Sequence, residues 1–212
     1  MVQAVLFDMD GVITDTESIG YEVMREAAKL QGTEISRAFF ASIMGSTKES
    51  GVQRFGQVYP QLDCERVYGD FHDLMLERAR NRQIKLMKGV TETLDLLEQR
   101  GIPCAIASSS PLSIVRAYLE PMGILHRFCA IATGDEVTHS KPAPDIFLLA
   151  ARKLGKRPED CLVAEDSGNG LRAGRAAGAK VCMVPDQIPF SEELRPFCDY
   201  VLGSLLELKE IL

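Results

Sequence analysis

Two hydrophobic patterns divide this chain. From residue 86 onward, short apolar runs recur at 102–107, 128–132, 161–164 and 181–184, with a weaker one at 200–202. Turn residues bound them: Gly101-Ile102-Pro103 overlaps the first, Thr133-Gly134-Asp135 follows the second, Glu165-Asp166 the third and Pro185-Asp186 the fourth. Runs so short and so continuously apolar predict strands buried on both faces of a parallel sheet. Between them apolar residues repeat at helical spacing, as in Val90, Leu94 and Leu97, in Ile114, Ala117 and Tyr118, and in Ile146, Leu149, Ala150 and Leu154. Strand–helix alternation of this kind implies right-handed βαβ units. Residues 2–7 add one strand at the start.

Residues 15–86 follow the helical period alone. Ile19, Val23, Ala27 and Leu30 fall on one face, and Val67, Phe71 and Leu74 on another. Gly45-Ser46-Thr47 interrupts the region and offers an N-cap to a helix running through Gln53. The reading is an α/β protein: a Rossmann-like parallel sheet core, residues 1–14 and 87–212, with an inserted α-helical cap domain, residues 15–86.

Composition removes several function classes. The 212 residues are 46% hydrophobic and 25% charged, with a net charge of −6. A chain of this length can bury a core without disulfides or a structural metal. The acidic balance and the lack of a basic run argue against nucleic acid and against an anionic membrane surface. No apolar stretch approaches the ~18 residues of a membrane span, and the N-terminus has no basic segment before its short apolar run. Six widely spaced cysteines, with no C-x-x-C, read as reduced thiols of a cytoplasmic protein. A monomer acting on a small molecule is expected.

In an open parallel sheet, ligands bind beyond the carboxyl ends of the strands. Asp8-Met9-Asp10, Ser108-Ser109-Ser110 and Glu165-Asp166-Ser167 all follow predicted strands, and Ser140-Lys141-Pro142 lies a few residues past another. Carboxylates meeting at one edge repel unless a cation compensates them, and oxygen ligands of this kind suit magnesium. A carboxylate can then attack phosphorus. A second one, two residues on, can protonate the leaving oxygen and later activate water. Hydroxyls and a lysine can hold the remaining phosphate oxygens.

Asp8-Met9-Asp10-Gly11-Val12, Ser108, Lys141 and Glu165-Asp166-Ser167, in that order and spacing, resemble the motifs of the haloacid dehalogenase-like (HAD) superfamily. The flanks at 7–16 and 140–145 are similar to its β-phosphoglucomutase-like branch, and the resemblance extends over nearly the whole chain. It implies Asp8 as nucleophile and metal ligand, and Asp10 as general acid/base with its carbonyl on the metal. It implies Ser108 on a phosphoryl oxygen, with Ser109 as a further substrate-binding candidate, and Lys141 bridging nucleophile and phosphate. Asp166 would bind magnesium, with Glu165 assisting directly or through water. Lys48 is placed near the branch's specificity loop, where it offers a cation to substrate or is a plain exposed lysine. Asp15 is assigned to the cap junction, Ser110 to a helix cap, and His72, His126 and His139 to structural or exposed positions.

The mutases of this branch carry a histidine early in the first cap helix, aligned with Gly20 here, and a lysine where this chain has Pro111. Glycine cannot relay a proton. The expectation is therefore a magnesium-dependent phosphatase acting on a small phosphorylated metabolite, plausibly a sugar phosphate, with a phosphosugar mutase as the alternative. Gly168-Asn169-Gly170-Leu171-Arg172-Ala173 matches a dinucleotide fingerprint, but Glu165-Asp166 stand where a pyrophosphate would approach. Gly170, Gly174 and Gly178 recur every four residues, which predicts a smooth helix face packed on the sheet.

Overall fold

The structure is a computed structural model that describes residues 2–43 and 48–212, leaving aside the side chains of Lys48 and Glu49. In chain order its elements are β1 (Ala4–Phe7), β2 (Thr14–Asp15), α1 (Glu17–Lys29), α2 (Arg37–Ile43), α3 (Lys48–Val58), α4 (Cys64–Arg80), β3 (Lys85–Leu86), α5 (Val90–Gln99), β4 (Cys104–Ser108), α6 (Leu112–Leu119), β5 (Ala130–Thr133), α7 (Asp145–Lys153), β6 (Cys161–Glu165), α8 (Gly168–Ala176), β7 (Lys180–Met183) and β8 (Tyr200–Val201). They fall into two compact units, Met1–Asp15 with Lys85–Leu212, and Thr16–Ile84.

The first unit is an α/β sheet domain. Six strands run in the order β5-β4-β1-β6-β7-β8, and every neighbouring pair is parallel. All four residues of β1 are buried, as a central parallel strand covered on both faces requires. Small side chains in the sheet, Ala105, Ala107 and Ala132, share a core with Ile146, Phe147 and Ala150 of α7 and Leu171 and Ala173 of α8. From β1 the chain builds outward through β4 to β5, then crosses back to the other side of β1 with β6. That reversal puts the ligand crevice of an open sheet outside the carboxyl end of β1.

A two-stranded antiparallel ribbon, β2 with β3, pairs Thr14 with Leu86 and Asp15 with Lys85. Two-residue strands carry no readable period, so the sequence pattern did not mark them.

The second unit is helical. Met24, Ala27 and Ala28 of α1 share a core with Phe39, Ile43, Phe55 and Val67 of α2, α3 and α4. The rings of Phe39 and Phe55 pack edge-on at 4.6 Å, and those of Phe39 and Tyr59 at 4.9 Å. Asp63 caps α4 by accepting from the Arg66 amide at 3.1 Å. Leu30, which the helical period places on one face with Ile19, Val23 and Ala27, is 61% exposed. The helix ends at Lys29 with Leu30 as its C-cap, so the face is completed by Met24 and Ala28 instead. Among the described residues no helix is long and apolar enough to cross a membrane.

Candidate active site

Asp8 immediately follows β1. Its amide donates to the Ala164 carbonyl of β6 at 3.0 Å, which extends the pairing of the two strands. The chain then turns sharply. The Met9 carbonyl accepts from the Ile13 amide at 2.8 Å, the Thr14 amide at 2.9 Å and the Thr14 hydroxyl at 3.2 Å. Gly11 makes this turn possible for two reasons. Its φ of +75° disfavours any side chain, and a Cβ there would stand 2.5 Å from Oδ2 of Asp166. The loop between the predicted nucleophile and β2 is thus shaped around the acidic pair after β6.

That pair comes from the end of β6. Asp8, Glu165 and Asp166 are all buried, and each offers a carboxylate oxygen within 4.8 Å of the others. Lys141 reaches the same place from the loop before α7. Its ammonium donates to Oδ1 of Asp8 and, at 2.7 Å, to Oε1 of Glu165, and lies 4.9 Å from the centre of the Phe147 ring. The loop bearing Lys141 is held by its neighbours. The Ala143 amide donates to the Ser140 carbonyl at 3.0 Å, and Asp145, which begins α7, accepts from the His139 amide at 3.3 Å and contacts its ring nitrogen Nδ1 at 3.0 Å.

Glu165 is fully committed. Besides Lys141, its Oε2 accepts from the Ser167 amide at 2.8 Å and the Ser167 hydroxyl at 3.0 Å. The same hydroxyl accepts from the Gly170 amide at 3.1 Å and caps α8. The sequence motif includes Ser167 without assigning it a role. Its position one residue beyond the acidic pair, at the start of a helix, is the signal of a capping serine.

The electrostatics follow from crowding. Burial pushes the Asp8 carboxyl up to about 7, Lys141 opposes this, and Glu165 and Asp10 add to it. The Lys141 ammonium is held above its ordinary range because Asp8 and Glu165 together outweigh its burial. Three buried carboxylates facing one ammonium leave an excess of negative charge, in an all-oxygen donor set. Those residues fit a hard divalent cation such as Mg²⁺.

Ser108 ends β4, next to β1 in the sheet, and is buried. Its Oγ accepts from the Ser110 amide at 3.1 Å, a contact that does not use the hydroxyl proton. Ser109 is exposed. Ser110 does not cap α6: its amide turns back to Ser108, and Pro111 stands at the N-cap. Asp10 sits in the turn after Asp8, with its backbone bridged to Thr14, outside the three-carboxylate cluster. The predicted substrate contact Lys48 begins α3, but its side chain lies outside the described residues.

The glycine repeat of α8 also separates into distinct causes. Gly174 packs on the sheet, where a Cβ would stand 3.0 Å from Val181 and 3.1 Å from Val163. Gly178 lies beyond the helix, at φ +80°, in its C-terminal turn.

The chain matches the haloacid dehalogenase-like hydrolase family over residues 2–178. It is 34% identical over 178 residues to fructose-1-phosphate phosphatase YqaB of Escherichia coli, covering 82% of this chain and 91% of that one. It is 31% identical over 180 residues to a phosphorylated carbohydrates phosphatase of Thermotoga maritima, covering 84% and 82%. Among solved structures, CbbY from Rhodobacter sphaeroides in complex with phosphate superposes with a TM-score of 0.81 at 28% identity, over 98% of this chain and 96% of that one.

Proposed function

The chain belongs to the haloacid dehalogenase-like hydrolases, and from that premise we propose that it is a magnesium-dependent phosphatase of small phosphorylated metabolites, sugar phosphates in particular, working through an aspartyl-phosphate intermediate. The observation that carries this reading is the Asp8 carboxylate held by Lys141 at the carboxyl end of the central strand. The phosphatase names of the relatives from E. coli and Thermotoga support the substrate class.

In this scheme an oxygen of Asp8 attacks phosphorus and the ester oxygen leaves, taking a proton from Asp10. Water then attacks the phosphorus of the acyl phosphate, Asp10 takes a proton from it, and phosphate and the Asp8 carboxylate are released. Ser108, with Ser109 beside it, and Lys141 hold the phosphoryl oxygens and offset charge developing on them. Asp8, Asp166, the Asp10 carbonyl and Glu165, directly or through water, are the groups that would hold Mg²⁺. The ion supplies charge neutralisation and orientation for phosphoryl transfer. Residues 15–86 act as the cap, which excludes water or admits it. The protein works in the cytoplasm as a monomer.

Water, not a sugar hydroxyl, is taken as the acceptor because of Gly20. Nothing at that position can relay a proton, and a Cβ on Gly20 would stand 3.1 Å from the tip of the Phe40 ring, closer than an ordinary contact. The test is phosphate release from fructose 1-phosphate and other sugar monophosphates, with and without Mg²⁺. Magnesium-dependent release that Asp8→Asn abolishes is expected, and release by Asp8→Asn at the wild-type rate would falsify the mechanism. Supplied with β-glucose 1-phosphate and a trace of the bisphosphate, the enzyme should yield free phosphate. Glucose 6-phosphate without phosphate would make it a mutase.

A further inference from the structure

The fingerprint-like glycines at the start of α8 open a space that a bound pyrophosphate fills in dinucleotide proteins. Here the chain's own Glu165 carboxylate fills it. A Cβ on Gly170 would stand 1.7 Å from Glu165 Oε1, 1.9 Å from its carboxyl carbon and 2.4 Å from Oε2. The carboxylate cannot swing aside cheaply. Glu165 is 1% exposed, with one oxygen on Lys141 at 2.7 Å and the other on the Ser167 amide and hydroxyl at 2.8 and 3.0 Å. The first turn of a helix suits an anion, since its amides point outward there. The glycine that lets an anion approach is thus used for a side chain of the same protein.

We infer that Gly170 is a positioning residue for Lys141: its bare Cα admits the Glu165 carboxylate onto the first turn of α8, and Glu165 in turn holds the Lys141 ammonium beside Asp8. Any side chain at 170 displaces Glu165 and, through it, Lys141. The kinetic consequence rests on the phosphatase reading above; the structural consequence does not.

The test compares Gly170→Ala in the wild-type and Glu165→Ala backgrounds, with Gly174→Ala as a control on the same helix. Thermal unfolding is measured without metal or substrate. With Glu165 present, Gly170→Ala should lower Tm by about 5 °C, as an overpacked site does. With Glu165 removed the methyl enters the vacated space and alanine favours the helix, so the same change should be neutral or stabilising. Gly174→Ala should cost the same in both backgrounds. Against fructose 1-phosphate, Gly170→Ala should lower kcat about 100-fold with KM changed only a few-fold, because Lys141 acts on charge that develops in the reaction.

An equal Tm loss in both backgrounds overturns the inference, as does a Gly170→Ala enzyme with wild-type Tm and kcat. Should Gly170→Ala alone fail to fold, a folded double variant supports the inference and an unfolded one rejects it. A wild type inactive on every phosphomonoester sinks the phosphatase reading, and the Tm comparison then decides on Gly170 alone.

Discussion

In the sheet unit a lysine and three carboxylates are packed together out of solvent. In the helical unit, among the described residues, no charged residue is buried, and the interior is Met24, Ala27, Phe39, Phe55 and Val67. The ion pairs of that unit, such as Arg78 with Glu26 at 2.6 Å between α4 and α1, lie at its surface. One region therefore carries groups that oppose its own folding, because buried like charges raise the free energy of the native state. The other has an apolar interior, with its polar contacts at the surface. Stability and chemistry should separate accordingly when each region is perturbed.

The widest separation is expected at Asp8. Asp8→Asn should lower the rate of phosphate release by at least about 10⁴-fold while Tm stays level or rises, since one buried carboxylate is removed without loss of volume. A Tm drop as large as that of a core truncation would erase the contrast between the units. Phe55→Ala should show the reverse profile. It removes a fully buried ring and should destabilise the fold by about 3–5 kcal/mol, read by chemical denaturation.

Adding Mg²⁺ to metal-free protein should raise stability by about 2.7 kcal/mol at one hundred times its dissociation constant. In Asp166→Asn this gain should shrink, and an equal gain in both proteins would place the ion elsewhere. The interior of the sheet unit should also titrate. Burial pushes the Cys182 thiol from 9.0 up to about 12, so above pH 9 the unfolded chain loses this proton and the folded one keeps it. Stability is present below pH 9 and is lost as pH rises from 9 toward 12, at roughly 1.4 kcal/mol per pH unit for this thiol. The stability difference between wild type and Cys182→Ala should narrow over that range, and a constant difference would break the prediction. The smallest effect belongs to the helical surface: Arg78→Ala should cost only about 0.2–1 kcal/mol, and less at high salt.

Much of the architecture was legible from apolar runs. The runs at 102–107, 128–132, 161–164 and 181–184 became β4, β5, β6 and β7 within one or two residues at each end. Parallel strands buried on both faces leave that signature, and flanking Gly, Pro and Asp close it off. The ribbon of β2 and β3 was not legible, because its pairing joins Thr14 to a residue 72 positions away and each strand is only two residues long. Leu30 keeps the helical spacing of Ile19, Val23 and Ala27 yet lies exposed, because the helix ends one residue before it.

The site divides in the same way. Asp8, Asp10, Glu165 and Asp166 stand out because each pair sits just past an apolar run. Local pattern cannot show that the Ser110 amide turns back to Ser108, nor that Gly170, Gly174 and Gly178 serve a carboxylate, a sheet contact and a helix terminus. Those contacts are close in the chain, but they are fixed by backbone angles and side-chain conformations that residue type and spacing do not encode.

By itself, then, the sequence determined the α/β class, the strands and the residue types gathered at their carboxyl ends, because strand burial and turn chemistry are local and periodic. Tertiary structure alone decided that Lys141, from the loop before α7, meets Asp8 from β1 and Glu165 from β6. It also decided that Glu165 lies in the space left by Gly170 and that Asp166 crowds Gly11. The contacts of Asp8 with Lys141 and of Gly11 with Asp166 join residues more than a hundred positions apart and are set by sheet order, while the fit of Glu165 against Gly170 is set by side-chain packing, and no periodicity in the chain encodes either.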